Sequence, residues 1–202
     1  MLILQITAPF ASFTNSRSRE YSASFKYPPI STIYGLLLSL VGESHRTRHV
    51  GVKLAIGIIK QPKSSVVLRT FKRLKEKDIN AKANSRPDFQ EILCGLSYAV
   101  CVDSSEDKQG LENRIQLALT QPEKIDRFGG LSLGESRDLI DDIRVLENLP
   151  PQQECFWLLK NPNGEALPVW VDYQGSENTR WETFILGDFD KQAFCLIQDY
   201  LR

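Results

Sequence analysis

No apolar run in this sequence approaches the roughly 20 residues that a membrane-spanning helix needs. The apolar start from Met1 to Ile6 is too short for a secretion signal and runs into Pro9. A cytoplasmic protein without membrane contact is therefore expected. There is no Cys-x-x-Cys pair: Cys94, Cys101, Cys155 and Cys195 stand far apart, which argues for reduced, mostly buried thiols over a zinc site or disulfides. Histidine is scarce, with only His45 and His49, so acid-base chemistry near neutral pH has few candidates. Internal repeats are absent.

Composition is otherwise that of a globular chain, with 42% hydrophobic and 25% charged residues over 202 positions. That length supports one good core with a small appended unit. The net charge of zero conceals an asymmetry. Residues 1–100 carry 15 Lys and Arg against 6 Asp and Glu, whereas residues 101–202 carry 10 against 19. A polyanion on the basic half, with the acidic half facing water or a basic partner, fits this division.

Periodicity places a strand over Met1–Ala8, ended by Pro9, followed by a long ordered loop over 10–29. Ile33, Tyr34, Leu37, Leu38 and Val41 then recur at helical spacing, with Ser31 or Thr32 as N-cap and Gly42 as the stop. Strands are predicted at Val52–Ile59, Ser65–Phe71 and Ile92–Val102, a helix at about Gly110–Leu119 closed by Pro122, and a strand at Asp141–Leu146. Between the second and third of these strands, Lys72, Arg73, Lys75, Lys77, Lys82 and Arg86, with a break at Pro87, predict a projecting basic hairpin. The order is β-α-β, an inserted hairpin, then β-α-β. This predicts a ferredoxin-like, RRM-like α/β (α+β) core over 1–150, with a thumb at about 65–90 and a small β-rich extension over 151–202. Strand candidates in that extension lie around 156–159, 169–173 and 183–186, before an amphipathic end holding Ala193, Phe194, Ile197 and Leu201.

Gly129 and Gly134 have P-loop spacing, but Glu135-Ser136 stands where Lys-Ser or Lys-Thr is required, and a carboxylate there repels a nucleoside triphosphate. The backbone amides of such a loop still suit a single phosphodiester, and a ligand-free glycine turn fits equally. Gly129-Gly130 runs into Leu131-Ser132 rather than Asp-Asp, which disfavours metal-dependent nucleotidyl transfer. Asp138, Asp141 and Asp142 are the carboxylates a magnesium ion would use, yet a carboxylate run beside a strand is ordinarily a solvated edge. No metal or cofactor is expected. His45 and His49, within His-Arg-Thr-Arg-His, read either as a polar loop whose Arg46 and Arg48 touch phosphate, or as an RNA-cleaving pair working with Tyr27 or a lysine. Phe71 and Phe89 flank the basic hairpin, interleaving rings for bases with cations for phosphates.

The segment Ala8-Pro9-Phe10-Ala11-Ser12-Phe13, Arg17 and Arg19, then Tyr27-Pro28-Pro29-Ile30-Ser31-Thr32-Ile33-Tyr34-Gly35-Leu36-Leu37 ending at Leu40-Val41-Gly42, resembles the Cas-five family of CRISPR-associated RAMP proteins. The Gly129–Ser136 segment is similar to the glycine-rich loop late in the RAMP core, closest to the DevS-like branch of type I systems. The resemblance covers residues 1–43 and, more loosely, 92–148. It implies a Cascade subunit that caps the 5′ handle of the guide crRNA, beside Cas-seven-type backbone subunits, a Cas-eight-type large subunit and target DNA near the protospacer-adjacent motif. It further implies RNA contacts from Arg17, Arg19, Lys26, Tyr27, Ser31, Tyr34 and the glycine loop (Gly129, Gly130, Ser132, Gly134, Ser136), with no catalytic residue. One branch of the family instead trims precursor crRNA.

Overall fold

A computed structural model describes residues 1–15, 21–72, 75–173 and 177–198. The described residues are mixed α/β, with one large, mainly antiparallel sheet and two α-helices. Its strands are β1 (Leu2–Ala11), β2 (Tyr21–Ser22), β3 (Lys53–Lys60), β4 (Lys63–Lys72), β5 (Ser85–Asp103), β6 (Asp142–Val145), β7 (Phe156–Trp170), β8 (Arg180–Gly187) and β9 (Cys195–Leu196). The helices are α1 (Ile30–Leu40), between β2 and β3, and α2 (Leu111–Thr120), between β5 and β6. The sheet runs β6-β1-β5-β3-β7-β8, with β2 and β4 on β5 and β9 on β3. Every pairing is antiparallel except β2 with β5.

Alternation sorts the strand residues between two apolar layers. Leu4 and Ile6 of β1, Leu54 and Ile56 of β3, and Tyr98, Val100 and Val102 of β5 point to the side of α1 and α2 and form the main core with them. Ile3, Ala55, Ala99 and Cys101 point the other way and are covered by Cys155, Trp157 and Ala193. Small residues on that second face make room for the indole: a Cβ on Gly57 would stand 3.0 Å from the Trp157 ring. Burial raises the thiols of Cys101 and Cys155 to about 12 and that of Cys195 to about 11, because a thiolate there would lose its hydration.

Several boundaries differ from expectation. Pro9 does not end β1, which continues to Ala11. The ring is tolerated because β6 covers only Leu4–Thr7, and the β5 register passes from Ala8 to Phe10 without using Pro9. Pro87 likewise sits inside β5, opposite Thr70, at a point where only β4 pairs with it. The helix N-cap is Pro29 rather than Ser31 or Thr32; its carbonyl accepts from the Thr32 and Ile33 amides. The expected strands near 156–159 and 169–173 are one strand, β7. It loops out around Asn161–Gly164 so that Lys160 and Glu165 both oppose Phe184. The last described elements are the 3₁₀ turn Lys191–Ala193 and β9; Leu201 lies outside the described residues.

Helix α1 is the keystone of the main core. Eight of its eleven residues are buried, with Ile30, Ile33, Tyr34 and Leu37 fully so. It stops at Gly42, whose φ of +66° suits glycine and where a Cβ would collide with the Asp126 carbonyl. Truncating a fully enclosed leucine here removes its transfer energy and leaves a cavity. Leu37→Ala is expected to lower unfolding free energy by about 2–5 kcal/mol in denaturant titration.

Candidate nucleic-acid interface

Only Thr32, Gly35 and Ser39 of α1 are not buried, and their spacing of three and four residues lines them along one face. That stripe of small residues is the floor of two adjoining clefts. One, of about 270 Å³, is closed by Ser31, Ser132, Gly134, Val171 and Tyr173. The other, of about 320 Å³, is closed by Gly42, Arg46, Asp126, Arg127, Phe128 and Tyr173. A third cleft of about 300 Å³ continues past Tyr173 along Ser44–Thr47 and Trp170–Asp172.

Arg46 is fixed at the junction. Its guanidinium lies 4.5 Å from the ring centres of both Trp170 and Tyr173, and Nη1 donates to the Val171 carbonyl at 2.6 Å. The Tyr34 hydroxyl donates to the Arg46 carbonyl at 2.6 Å from inside the core, and burial pushes the phenol well above its ordinary pKa. Tyr34 thus positions Arg46 and does not itself reach a ligand. Ser31 is also mostly internal: its hydroxyl donates to the Pro168 carbonyl at 3.0 Å and ties α1 to β7. Tyr27 is 7% exposed, with the Lys26 ammonium 5.2 Å from its ring centre, so of this pair Lys26 faces outward.

The two histidines separate. His45 is exposed on the third cleft, its backbone amide held by Glu43. His49 is sealed inside: Nδ1 lies 2.8 Å from Asp107 Oδ2, and Nε2 lies 2.8 Å from Arg114 Nη1. Arg114 can only donate, so Nε2 accepts and Nδ1 carries the proton. Asp107 also accepts from the Leu111 amide at 2.8 Å, and Arg114 bonds Glu43 at 2.7 Å and the Val41 carbonyl at 3.0 Å. This network welds the end of α1 to the start of α2. The structure does not bring His45 and His49 together: both ring nitrogens of His49 are engaged in the interior, and only His45 is open to a ligand. Arg48 stays exposed, 3.4 Å from Glu43.

The glycine segment turns sharply against the end of β1. At Gly134 φ is +103°, and a Cβ would meet the Ser12 carbonyl at 2.6 Å. Asp138 Oδ2 accepts from the Ser12 amide at 2.9 Å; burial raises this carboxyl above its usual range although the amides oppose that. Asp141 donates its amide to the Thr7 carbonyl, and Asp142 begins β6. Asp138, Asp141 and Asp142 do not form a cation cage; among the described residues no group of three or more His, Cys, Asp or Glu side chains is placed to hold a metal ion. Gly129, Gly130 and Ser136 lie on the exposed side of the segment.

Glu135, read from sequence only as a missing lysine, has a definite task. Its Oε1 accepts from Gln90 Nε2 at 2.5 Å, and its Oε2 lies 3.3 Å from Arg69 Nη1 and 3.0 Å from Arg137 Nε. Gln90 is fully buried and also accepts from Arg137. The middle of the β4–β5 hairpin is thereby latched to the glycine segment. At the far end, buried Asn84 shapes the tip: Oδ1 accepts from the Lys75 and Glu76 amides, and Nδ2 donates to the Glu76 and Asp78 carbonyls. Lys72, Lys75, Lys77 and Lys82 are exposed around it, and Arg86 is half-buried. Phe71 and Phe89 are 45% and 50% exposed, and Phe89 stands in register with Leu68 and Tyr21 across three strands. Arg17, Arg19 and Arg73 lie outside the described residues.

The fold is shared with solved CRISPR-associated proteins. A chain described as "CRISPR RNA-guided surveillance complex" superposes with a TM-score of 0.64 at 14% identity, covering 93% of this chain and 89% of that one. A "Crystal structure of Cas protein" superposes at 0.54 and 12%, covering 95% and 96%. In sequence, the family described as CRISPR-associated protein (Cas_Cas5) matches residues 1–176. A "CRISPR-associated protein Cas5" of Myxococcus xanthus (strain DK1622) is 40% identical over 189 residues, covering 90% of this chain and 88% of its relative. The chain belongs to the Cas5 family of CRISPR-associated proteins.

Sequence reasoning missed Phe128, Tyr173 and the Thr32-Gly35-Ser39 stripe. The signal for the stripe was present: three small residues at helical spacing in a helix rich in leucine and isoleucine. Gly35 costs the helix stability, and a Cβ there would meet nothing. Gly35→Ala is therefore expected to raise unfolding free energy by about 0.5–1 kcal/mol in thermal or denaturant melts. Glu135→Ala unlatches the hairpin at its middle. Faster amide exchange across Ser85–Gln90 and quicker proteolysis within 73–84, at nearly unchanged melting temperature, are the expected results.

Proposed function

We propose that this protein is a non-catalytic RNA-binding subunit of a Cascade-type surveillance complex, one that caps the 5′ handle of the guide RNA. The observation that carries the reading is the continuous run of clefts over the small-residue face of α1. That run is bordered by Arg46 and the glycine segment, and the same molecule carries a lysine-rich hairpin. A groove floored by Thr32, Gly35 and Ser39 admits a sugar-phosphate backbone close to the helix, and the cations at its rim and on the hairpin offset phosphate charge. The antiparallel path β6-β1-β5-β3, with α1 and α2 as crossovers in one core, supports a ferredoxin-like scaffold, the platform of many single-strand RNA readers. Membership of the Cas5 family supports the complex, and the fold shared with a chain of an RNA-guided surveillance complex agrees with it.

In this reading the hairpin lies over the RNA beside a Cas-seven-type backbone subunit. The acidic C-terminal half and its edge strand β8 face a Cas-eight-type large subunit near the target DNA. A precursor-trimming endoribonuclease is the competing activity, and exposed His45 beside Arg46 is its remaining acid-base candidate.

End-labelled repeat RNA, mixed in chelator with the protein alone and with its neighbouring subunits, separates the two. The expected outcome is an uncut, shifted band that requires the 5′ handle and weakens steeply with salt. Replacing Lys75, Lys77 and Lys82 together by Ala is expected to lower affinity and reduce the salt slope by about 3. Discrete cleavage that His45→Ala abolishes, or assembly indifferent to the handle, overturns the proposal.

A further inference from the structure

Two aromatic rings on the rim of the 320 Å³ cleft stay largely exposed. Phe128, in the segment after α2, is fully exposed at 102% of its reference area. Tyr173, just past β7, is 78% exposed. Among the described residues Phe128 makes no ring or cation contact, and Tyr173 meets only the Arg46 guanidinium, in a chain able to bury Trp157 and Trp170 completely. Between the segments that carry these rings, α1 presents Gly35 and Ser39, and Gly35 is a helix-interior glycine with open space where its side chain would stand. Tyr173 is already held in place, because the Arg46 guanidinium lies against it and is itself anchored to Trp170 and the Val171 carbonyl. A ring so fixed loses little entropy on binding.

From these observations, and resting on the RNA-binding reading above, we propose that the cleft is a subsite for one unpaired nucleobase of the guide. The base stacks on Phe128 and Tyr173 over the Gly35–Ser39 floor, and an adjoining phosphate meets Arg127. The charges at the cleft favour a nucleotide over an apolar protein side chain. The lining carries two arginines, Arg46 and Arg127, against the carboxylates Asp126 and Glu43, and Glu43 is already neutralised by Arg114 and Arg48 from outside the cleft, so the balance left to a ligand is positive. Burial raises the Glu43 carboxyl, but Arg114, the His45 amide and Arg48 together outweigh this and hold it below its ordinary range. It therefore stays the charged partner of those two arginines.

The test uses the full chain with repeat-derived guide RNAs, each carrying 2-aminopurine at a different position of the 5′ segment, with fluorescence and affinity read together. One position is expected to be quenched by the wild-type protein. That quenching is lost in Phe128→Ala and Tyr173→Ala, each binding about tenfold more weakly, and is retained in Phe128→Tyr. If RNA binds but no position responds to either alanine variant, the subsite is overturned and the RNA-binding reading stands. If the wild type binds no guide RNA, alone or assembled, both fall. If the alanine variants keep every RNA signal but lose a neighbouring subunit, the rings dock protein and the nucleobase assignment is overturned.

Discussion

The single strand β5 holds the molecule together. Its nineteen residues hydrogen-bond to four other strands: β1 and β3 along its apolar second half, β4 and β2 along its first. The second half is fixed by burial, with Tyr98, Ala99, Val100, Cys101 and Val102 fully enclosed between the two apolar layers. The first half has no such enclosure and keeps its course because the same backbone continues without a break. The hairpin's position is therefore inherited from the core through covalent continuity. The Glu135–Gln90–Arg69 latch then fixes its roll against the glycine segment. A projecting element with few apolar contacts of its own needs this kind of support, since a two-stranded ribbon alone is marginal in water.

Much of this arrangement is legible in the residues. The helices announce themselves through a periodic apolar face, and β3 and the apolar half of β5 through continuous apolar runs that are buried on both faces; β4 and β6, with no buried residue, are legible only as short β-branched runs. Pro9 and Pro87 misled because proline forbids a donor and not a strand. Where the neighbouring strand is too short to ask for that donor, the strand runs on. Ser31 misled for a related reason: a serine at a helix start has two good uses, and here the carbonyl of Pro168, more than a hundred residues away, takes the hydroxyl. No local pattern encodes that partner.

The same limit governs the candidate site. Arg46, Lys26 and the hairpin lysines were visible as cations in a basic half. Glu135, Arg69 and Gln90 were not, because their meaning lies in each other and they sit on three separate elements. His45 and His49, four residues apart and alike in sequence, differ completely in surroundings: one lies on a cleft wall, the other at the centre of a buried charge network. That network, running from Glu43 through Arg114 and His49 to Asp107, holds the loop on which Arg46 sits, so the cleft's geometry depends on groups that never touch it.

The cysteines have a practical consequence of their own. Three of the four thiols are enclosed, with their ionisation suppressed by burial, whereas Cys94 is only half-buried and stands at the root of the hairpin, opposite both Phe10 and Lys63. Toward an alkylating reagent the folded chain offers one thiol, at the joint between body and hairpin. Nature has supplied a single-site attachment point for a spectroscopic probe where the strand leaves the core.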